Sequence, residues 1–203
     1  MRALAIIFLL GLLTAQAAEV AEVSALKDPS AFDGITNKVE RSRALFREAG
    51  KVIQSPRCLV CHPNGDTPAQ GDDLHPHYPA VVRGPHNDGV VGMKCTTCHQ
   101  DHNLDLARVP GAPGWHLAPL SMAWVGKNLH SICEQIKDPK RNGNKSMDQL
   151  IEHFAHDKLV GWGWHPGSNR TPAPGTQERM GALIAAWIAT GAECPPEHSK
   201  ETK

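Results

Sequence analysis

The strongest constraint on this chain is a five-residue pattern that occurs twice. Cys58-Leu59-Val60-Cys61-His62 is followed by Cys95-Thr96-Thr97-Cys98-His99, so the two begin 95 − 58 = 37 residues apart. With six cysteines and 12 histidines in 203 residues, one such pattern arises by chance in about 1% of chains, and two far more rarely. The remaining cysteines, Cys133 and Cys194, stand alone. Large rings are scarce, with four Phe, five Trp and one Tyr. A chain poor in aromatics and rich in imidazole is expected to fill part of its core with something other than side chains.

The spacing has a chemical reason. Two thiols separated by two residues on a tight helical turn can reach two vinyl groups on one edge of a porphyrin and form thioethers. The next histidine then lies under the ring and offers a nitrogen to iron. CxxCH is the attachment pattern of c-type haem. The expected cofactors are therefore two covalent haem c groups, held by Cys58, Cys61, Cys95 and Cys98, with His62 and His99 as proximal iron ligands. A four-thiolate zinc centre is the rival, because CxxC pairs also bind zinc. The histidine after both pairs, the long gap between them and an export signal favour haem.

That signal is read at the start of the chain. Met1-Arg2 is positive, Ala3 to Leu13 is apolar, and Ala15-Gln16-Ala17 is a small-x-small cleavage site. Cleavage after Ala17 removes Arg2, so formal charge goes from 21 − 21 = 0 to 20 − 21 = −1. A general nucleic-acid binder would be basic, so this class is excluded. No later apolar run reaches membrane-spanning length, so no permanent membrane span is expected. The expected location is periplasmic or secreted. In that oxidising setting Cys133 and Cys194 are expected to pair. A haem thiolate from one of them is the sharper alternative.

The expected fold is mostly α with extensive coil, helices packing around two haems. Residues 18–35 read as a flexible leader, 36–195 as a single domain and 196–203 as a tail. Thr36 to Gln54 predicts a helix, with Val39, Phe46, Ala49 and Ile53 at helical spacing. Its outer face is basic (Lys38, Arg41, Arg43, Arg47, Lys51), either solvated or a contact for an acidic partner or for haem propionates. Leu129, Ile132, Cys133 and Ile136 mark a second helix ended before Pro139. Ser146-Met147-Asp148-Gln149 resembles a capping box opening a third helix. Thr176 caps a fourth, striped by Met180, Leu183, Ile184, Trp187 and Ile188 and ended at Gly191. Residues 63–94 and 100–126, dense in Gly and Pro, read as long loops without strands.

The sixth ligand of each iron separates electron transfer from catalysis. His77, in the rigid His75-Pro76-His77 element, is the first expectation for one haem, with His75 next. For the other, His153, His116 and Met122 compete. Met122 follows Pro119 in a loop and would raise the potential relative to two histidines. His156 falls opposite the apolar stripe of its helix and is expected in solvent.

The paired motifs make the chain resemble dihaem c-type cytochromes. The stretches GDDLHPHYPAVVRG, WHLAPLSMAW, KLVGWGWHPG and APGTQERMGALIAAWIATGAECP resemble bacterial exported proteins known as isoquinoline 1-oxidoreductase subunits, over most of residues 58–195. The resemblance implies a cytochrome that accepts electrons from a periplasmic dehydrogenase of the molybdenum hydroxylase type and passes them to a cytochrome or oxidase acceptor. The alternatives are a small haem enzyme (a peroxidase or sulfur-compound dehydrogenase) with an open or thiolate-bound iron, and a structural zinc protein.

Overall fold

The structure, a computed structural model, describes residues 25–197. The signal and the last residues of the tail lie outside that range. Helix α1 spans Lys38–Ile53 and a short α2 spans Pro56–Leu59. Four two-residue strands follow: β1 Ala69–Gln70, β2 His75–Pro76, β3 Gly89–Val90 and β4 Met93–Lys94. Then come α3 Leu129–Lys137, α4 Met147–His156, a short α5 Lys158–Gly161 and α6 Gln177–Ala189. The described chain is mostly helix and coil. None of its helices is long and apolar enough to cross a membrane.

The long helices start where side chains can satisfy orphan backbone donors. Asn37 accepts from the Glu40 amide, Asn128 from Ser131, and Thr176 from Arg179. Ser146 and Gln149 complete a reciprocal capping box. Helix α6 is the centre of the bundle, packed between α1 and α4. Phe46 of α1 and Trp187 of α6 meet with ring centroids 4.8 Å apart. Ile132 and Ile136 of α3 and Leu150 and Phe154 of α4 complete the same apolar core. Val39 is exposed, so the buried stripe of α1 begins further along, at Ser42 and Leu45.

Helices α4 and α6 touch at Gly181. A Cβ there would meet the Cβ of Ala155 and stand 2.9 Å from its Cα. Alanine normally favours a helix by about 1 kcal/mol over glycine, but here overpacking dominates, at about 1–3 kcal/mol. Gly181→Ala is therefore expected to lower stability, read as a fall in the chemical-denaturation midpoint at unchanged slope.

Two expectations need correction, those for the leader and for the loops. The described part of the 18–35 leader is not loose. Leu26 and Phe32 are buried, the Lys27 amide donates to Glu48 (2.9 Å), and Asp28 pairs with Arg179. Its apolar residues are too few and too spaced to show periodicity. The basic face of α1 is solvated as expected, with Lys38, Arg47 and Lys51 exposed, and carries pairs of Arg41 with Asp33, Arg43 with Glu40 and Lys51 with Glu48. Finally, the loops contain two antiparallel ladders, Gln70 opposite His75 and Gly89 opposite Lys94. Two residues per strand leave no alternation to read.

The coil is held by a buried arginine and a half-buried asparagine. The Arg83 guanidinium donates to the carbonyls of Gly65 (3.1 Å) and Ala118 (2.6 Å) and to Asn87 Oδ1 (2.6 Å). Asn103 Oδ1 accepts from the Gly111 amide and the Trp162 indole, while its amide donates to the His165 carbonyl. These bonds do for residues 63–126 what periodic packing does for the bundle. His156 is exposed, as its position on α4 requires.

Cys133 and Cys194 form a disulfide joining α3 to the segment after α6. The other four cysteines are free thiols.

Candidate functional site

Pro56 sits in the first turn of α2, where a missing amide hydrogen costs nothing. The turn continues past the helix, with the Cys61 amide donating to Cys58 (3.2 Å) and His62 to Leu59 (3.1 Å). Both thiols and the imidazole are thus borne on one tight turn. The His62 ring stacks face to face on Trp124, centroids 3.4 Å apart and planes 5° from parallel. Its Nδ1 lies 2.6 Å from the Met122 carbonyl. A carbonyl only accepts, so Nδ1 carries the hydrogen and Nε2 keeps its lone pair.

The second motif repeats the device. Cys95–Thr97 form a 3-10 turn, and the Cys98 and His99 amides both donate to Cys95. His99 Nδ1 donates to the Pro110 carbonyl (2.8 Å), and the ring stacks on Trp115 with centroids 4.5 Å apart and planes 6° from parallel. Two histidines 37 residues apart (99 − 62) are therefore fixed in the same tautomer by the same two kinds of contact. Orienting a ligand imidazole through its other nitrogen is the usual outer-shell arrangement at metal centres.

A second imidazole accompanies each. His77 lies edge-on to His99, with centroids 5.9 Å apart and planes at 66°. Its Nδ1 donates to the Pro79 carbonyl (2.9 Å). In the cleft of the first motif, His153 donates from Nδ1 to Asp157 Oδ2 (3.0 Å), and His116 donates from Nδ1 to the Gly114 carbonyl (2.5 Å). Burial pushes His62 down to about 3, with the His153 charge adding to the effect. Burial also lowers His99, and there the added charge is that of His77. The hydrogen bond from His153 is the main cause that brings the Asp157 carboxyl to about 2.

The other candidates are placed differently. His75 has both nitrogens engaged, Nδ1 with Asp73 (2.5 Å) and Nε2 with the Gln70 amide (3.0 Å). Met122 lines the cleft and is buried, and its backbone carbonyl holds His62. That role was invisible in a reading that considered its sulfur.

The two motifs differ in setting. Cys58, Cys61 and His62 line a cleft of about 920 Å³, open mouth included, walled by core residues such as Trp124, Ile136, Leu150 and Phe154. The cleft leaves part of each thiol accessible, yet protein crowds them, and burial raises Cys58 to about 12 and Cys61 to about 11. Burial thus keeps both sulfurs in the neutral thiol form in this cleft. Cys98 of the second motif is exposed.

Two buried donors in the first cleft lack partners, Arg57 Nε and Trp124 Nε1. Arg57 is 3% exposed, pairs with Asp72 and lies 5.6 Å over the Trp162 ring. The cleft offers two thiols and an imidazole lone pair, and a haem held there would meet an apolar wall with two unpartnered donors in it. The residues fit a covalently attached haem. Among the described residues no three His, Cys, Asp or Glu side chains are placed to hold a bare metal ion.

One strip of chain serves both motifs. Trp115 stacks on His99, His116 lines the first cleft, and the Ala118 amide donates to the Cys61 carbonyl (3.0 Å). Trp115 also meets Trp162, which lines that cleft, edge-on at 5.0 Å. The stacking tryptophans, the anchoring carbonyls, Arg57 and Asp157 went unnoticed in the sequence. Only Asp157 left a signal, four residues after His153 on one helix face. Comparisons with protein-family models, curated proteins and solved structures find no match to this chain.

Proposed function

We propose that this chain is an exported dihaem c-type cytochrome that passes single electrons between a periplasmic dehydrogenase, of the molybdenum hydroxylase type, and a downstream cytochrome or oxidase. The observation that carries the reading is the repetition at the two motifs. Each CxxCH histidine donates Nδ1–H to a carbonyl, stacks on a tryptophan and has an anchored second imidazole beside it. Haem, once attached, supplies a one-electron couple at each site. The chain's own work is positional. Cys58, Cys61, Cys95 and Cys98 would tether the haems, and His62 and His153 at one site and His99 and His77 at the other would offer nitrogens to iron. The tryptophans hold the ligand rings and exclude water.

Six-coordinate iron with two protein ligands suits transfer rather than substrate binding. The enclosed first site is the internal centre, and the second, with Cys98 at the surface, is the face that exchanges electrons with partners.

The test is low-temperature electron paramagnetic resonance of the matured protein, with its mass. The expected result is a mass increase of two haems and two low-spin ferric signals. His77→Ala and His153→Ala are each expected to convert a different one of those signals to high spin while both haems stay covalently bound. A substantial high-spin fraction in the unaltered protein would favour the haem-enzyme alternative. A colourless protein carrying zinc would end the proposal.

A further inference from the structure

Of the four imidazoles assigned to the two irons, three donate Nδ1–H to a neutral backbone carbonyl: His62 to Met122, His99 to Pro110 and His77 to Pro79. His153 alone donates to a carboxylate, Asp157 Oδ2, at 3.0 Å. We propose that Asp157 is a positioning residue that holds the His153 ring in the first cleft and, through its negative charge, selectively lowers the reduction potential of that site. The inference rests on the dihaem reading and goes beyond it by naming a residue that makes the two sites unequal.

The fold gives Asp157 this place by dividing the work of its two oxygens. Oδ1 caps α5, accepting from the Leu159 amide (2.8 Å) and the Val160 amide (3.3 Å). Oδ2 is thereby turned back one helical turn toward His153 on α4. The Asp157 carbonyl accepts from the Gln177 side chain (2.9 Å), which ties the corner to the start of α6. The carboxylate is thus held by two helices and is not free to rotate away.

A carboxylate accepting Nδ1–H makes the imidazole more basic at Nε2, and a more basic ligand favours the ferric over the ferrous ion. Outer-shell partners of this kind change metal affinity by roughly 10–100-fold when removed. A tenfold change in the ferric-to-ferrous preference corresponds to about 59 mV for a one-electron couple.

Asp157→Asn separates this role from the structural one. Asparagine keeps an Oδ1 acceptor for the α5 cap, but the amide in place of Oδ2 cannot accept from His153. The experiment is spectroelectrochemical titration of the matured full chain, with paramagnetic resonance of the oxidised form and thermal unfolding as a control. The expected result is an upward shift of one couple by about 59 mV or more, the other couple staying where it was. Asp157→Glu, which restores the carboxylate, is expected to bring the shifted couple back toward its original value. Two unshifted couples in Asp157→Asn, or two couples shifted equally, would overturn the inference while leaving the dihaem reading standing. A matured chain without two covalent haems would overturn both.

Discussion

Replacing Cys58 and Cys61 together by alanine is expected to lower stability markedly more than replacing Cys95 and Cys98, which is expected to leave a folded protein with one haem. The asymmetry follows from where the motifs lie. The first cleft is walled by Trp124, Ile136, Leu150 and Phe154, all members of the main core. Withholding a haem from that cleft would leave a space among residues that are themselves buried. A residual cavity of about 130 Å³, at about 24 cal/mol per Å³, costs about 3 kcal/mol. Net stabilities of domains are only about 5–15 kcal/mol, so such a loss removes a large part of the margin. The second motif ends on an exposed Cys98, and His99 rests on Trp115 outside the bundle. Its loss withdraws little from the main core. Periplasmic yield, haem stain after denaturing electrophoresis and the thermal midpoint of each double variant check this. Equal stability of the two variants would refute the assignment of the first cleft as a core cofactor site.

Removing the Cys133–Cys194 disulfide, as Cys133→Ala with Cys194→Ala, is expected to lower stability by about 4 kcal/mol in the chain-entropy model. The bridge spans 61 residues of sequence and restrains α3, α4 and α6 in the unfolded chain. For a domain of this size that corresponds to a fall in Tm of about 8–16 °C. In the folded state the bridged segment is also held by other bonds: Arg43 Nε donates to the Cys194 carbonyl (3.2 Å) and the Trp187 indole to the Glu193 carbonyl (3.0 Å). The native geometry should therefore survive the substitution, and the loss should appear chiefly as a lower denaturation midpoint at unchanged absorption spectrum. A change in the haem spectrum would instead revive the thiolate-ligand alternative for one of these sulfurs.

The four long helices were legible by their 3.6-residue stripes, two of them also by a cap at Ser146 or Thr176 and two by Pro139 or Gly191 at the end. The Cys133–Cys194 pair followed from cysteine chemistry in an oxidising compartment, and the structure contains it. The coil was another matter. Residues 63–126 have no period, and their shape depends on Arg83 and Asn103, single polar side chains whose partners are scattered along the chain. Nothing local in the sequence announces such bonds. Leu26 and Phe32 were missed for the same reason, since burial of isolated apolar residues depends on the surface they meet.

Read alone, the sequence determined the chemistry that depends on neighbours along the chain: two thiols and an imidazole on one turn, repeated, and the caps and stripes of the helices. Tertiary structure decided everything that needs distant residues to converge. It brought His153 to the cleft of His62, 153 − 62 = 91 residues away, and His77 beside His99. It set a tryptophan against each motif histidine and used the carbonyl of Met122 rather than its sulfur. The physical reason is that spacing on one helical turn follows from backbone geometry, whereas closing long coil loops follows from the summed burial and hydrogen bonding of the whole chain.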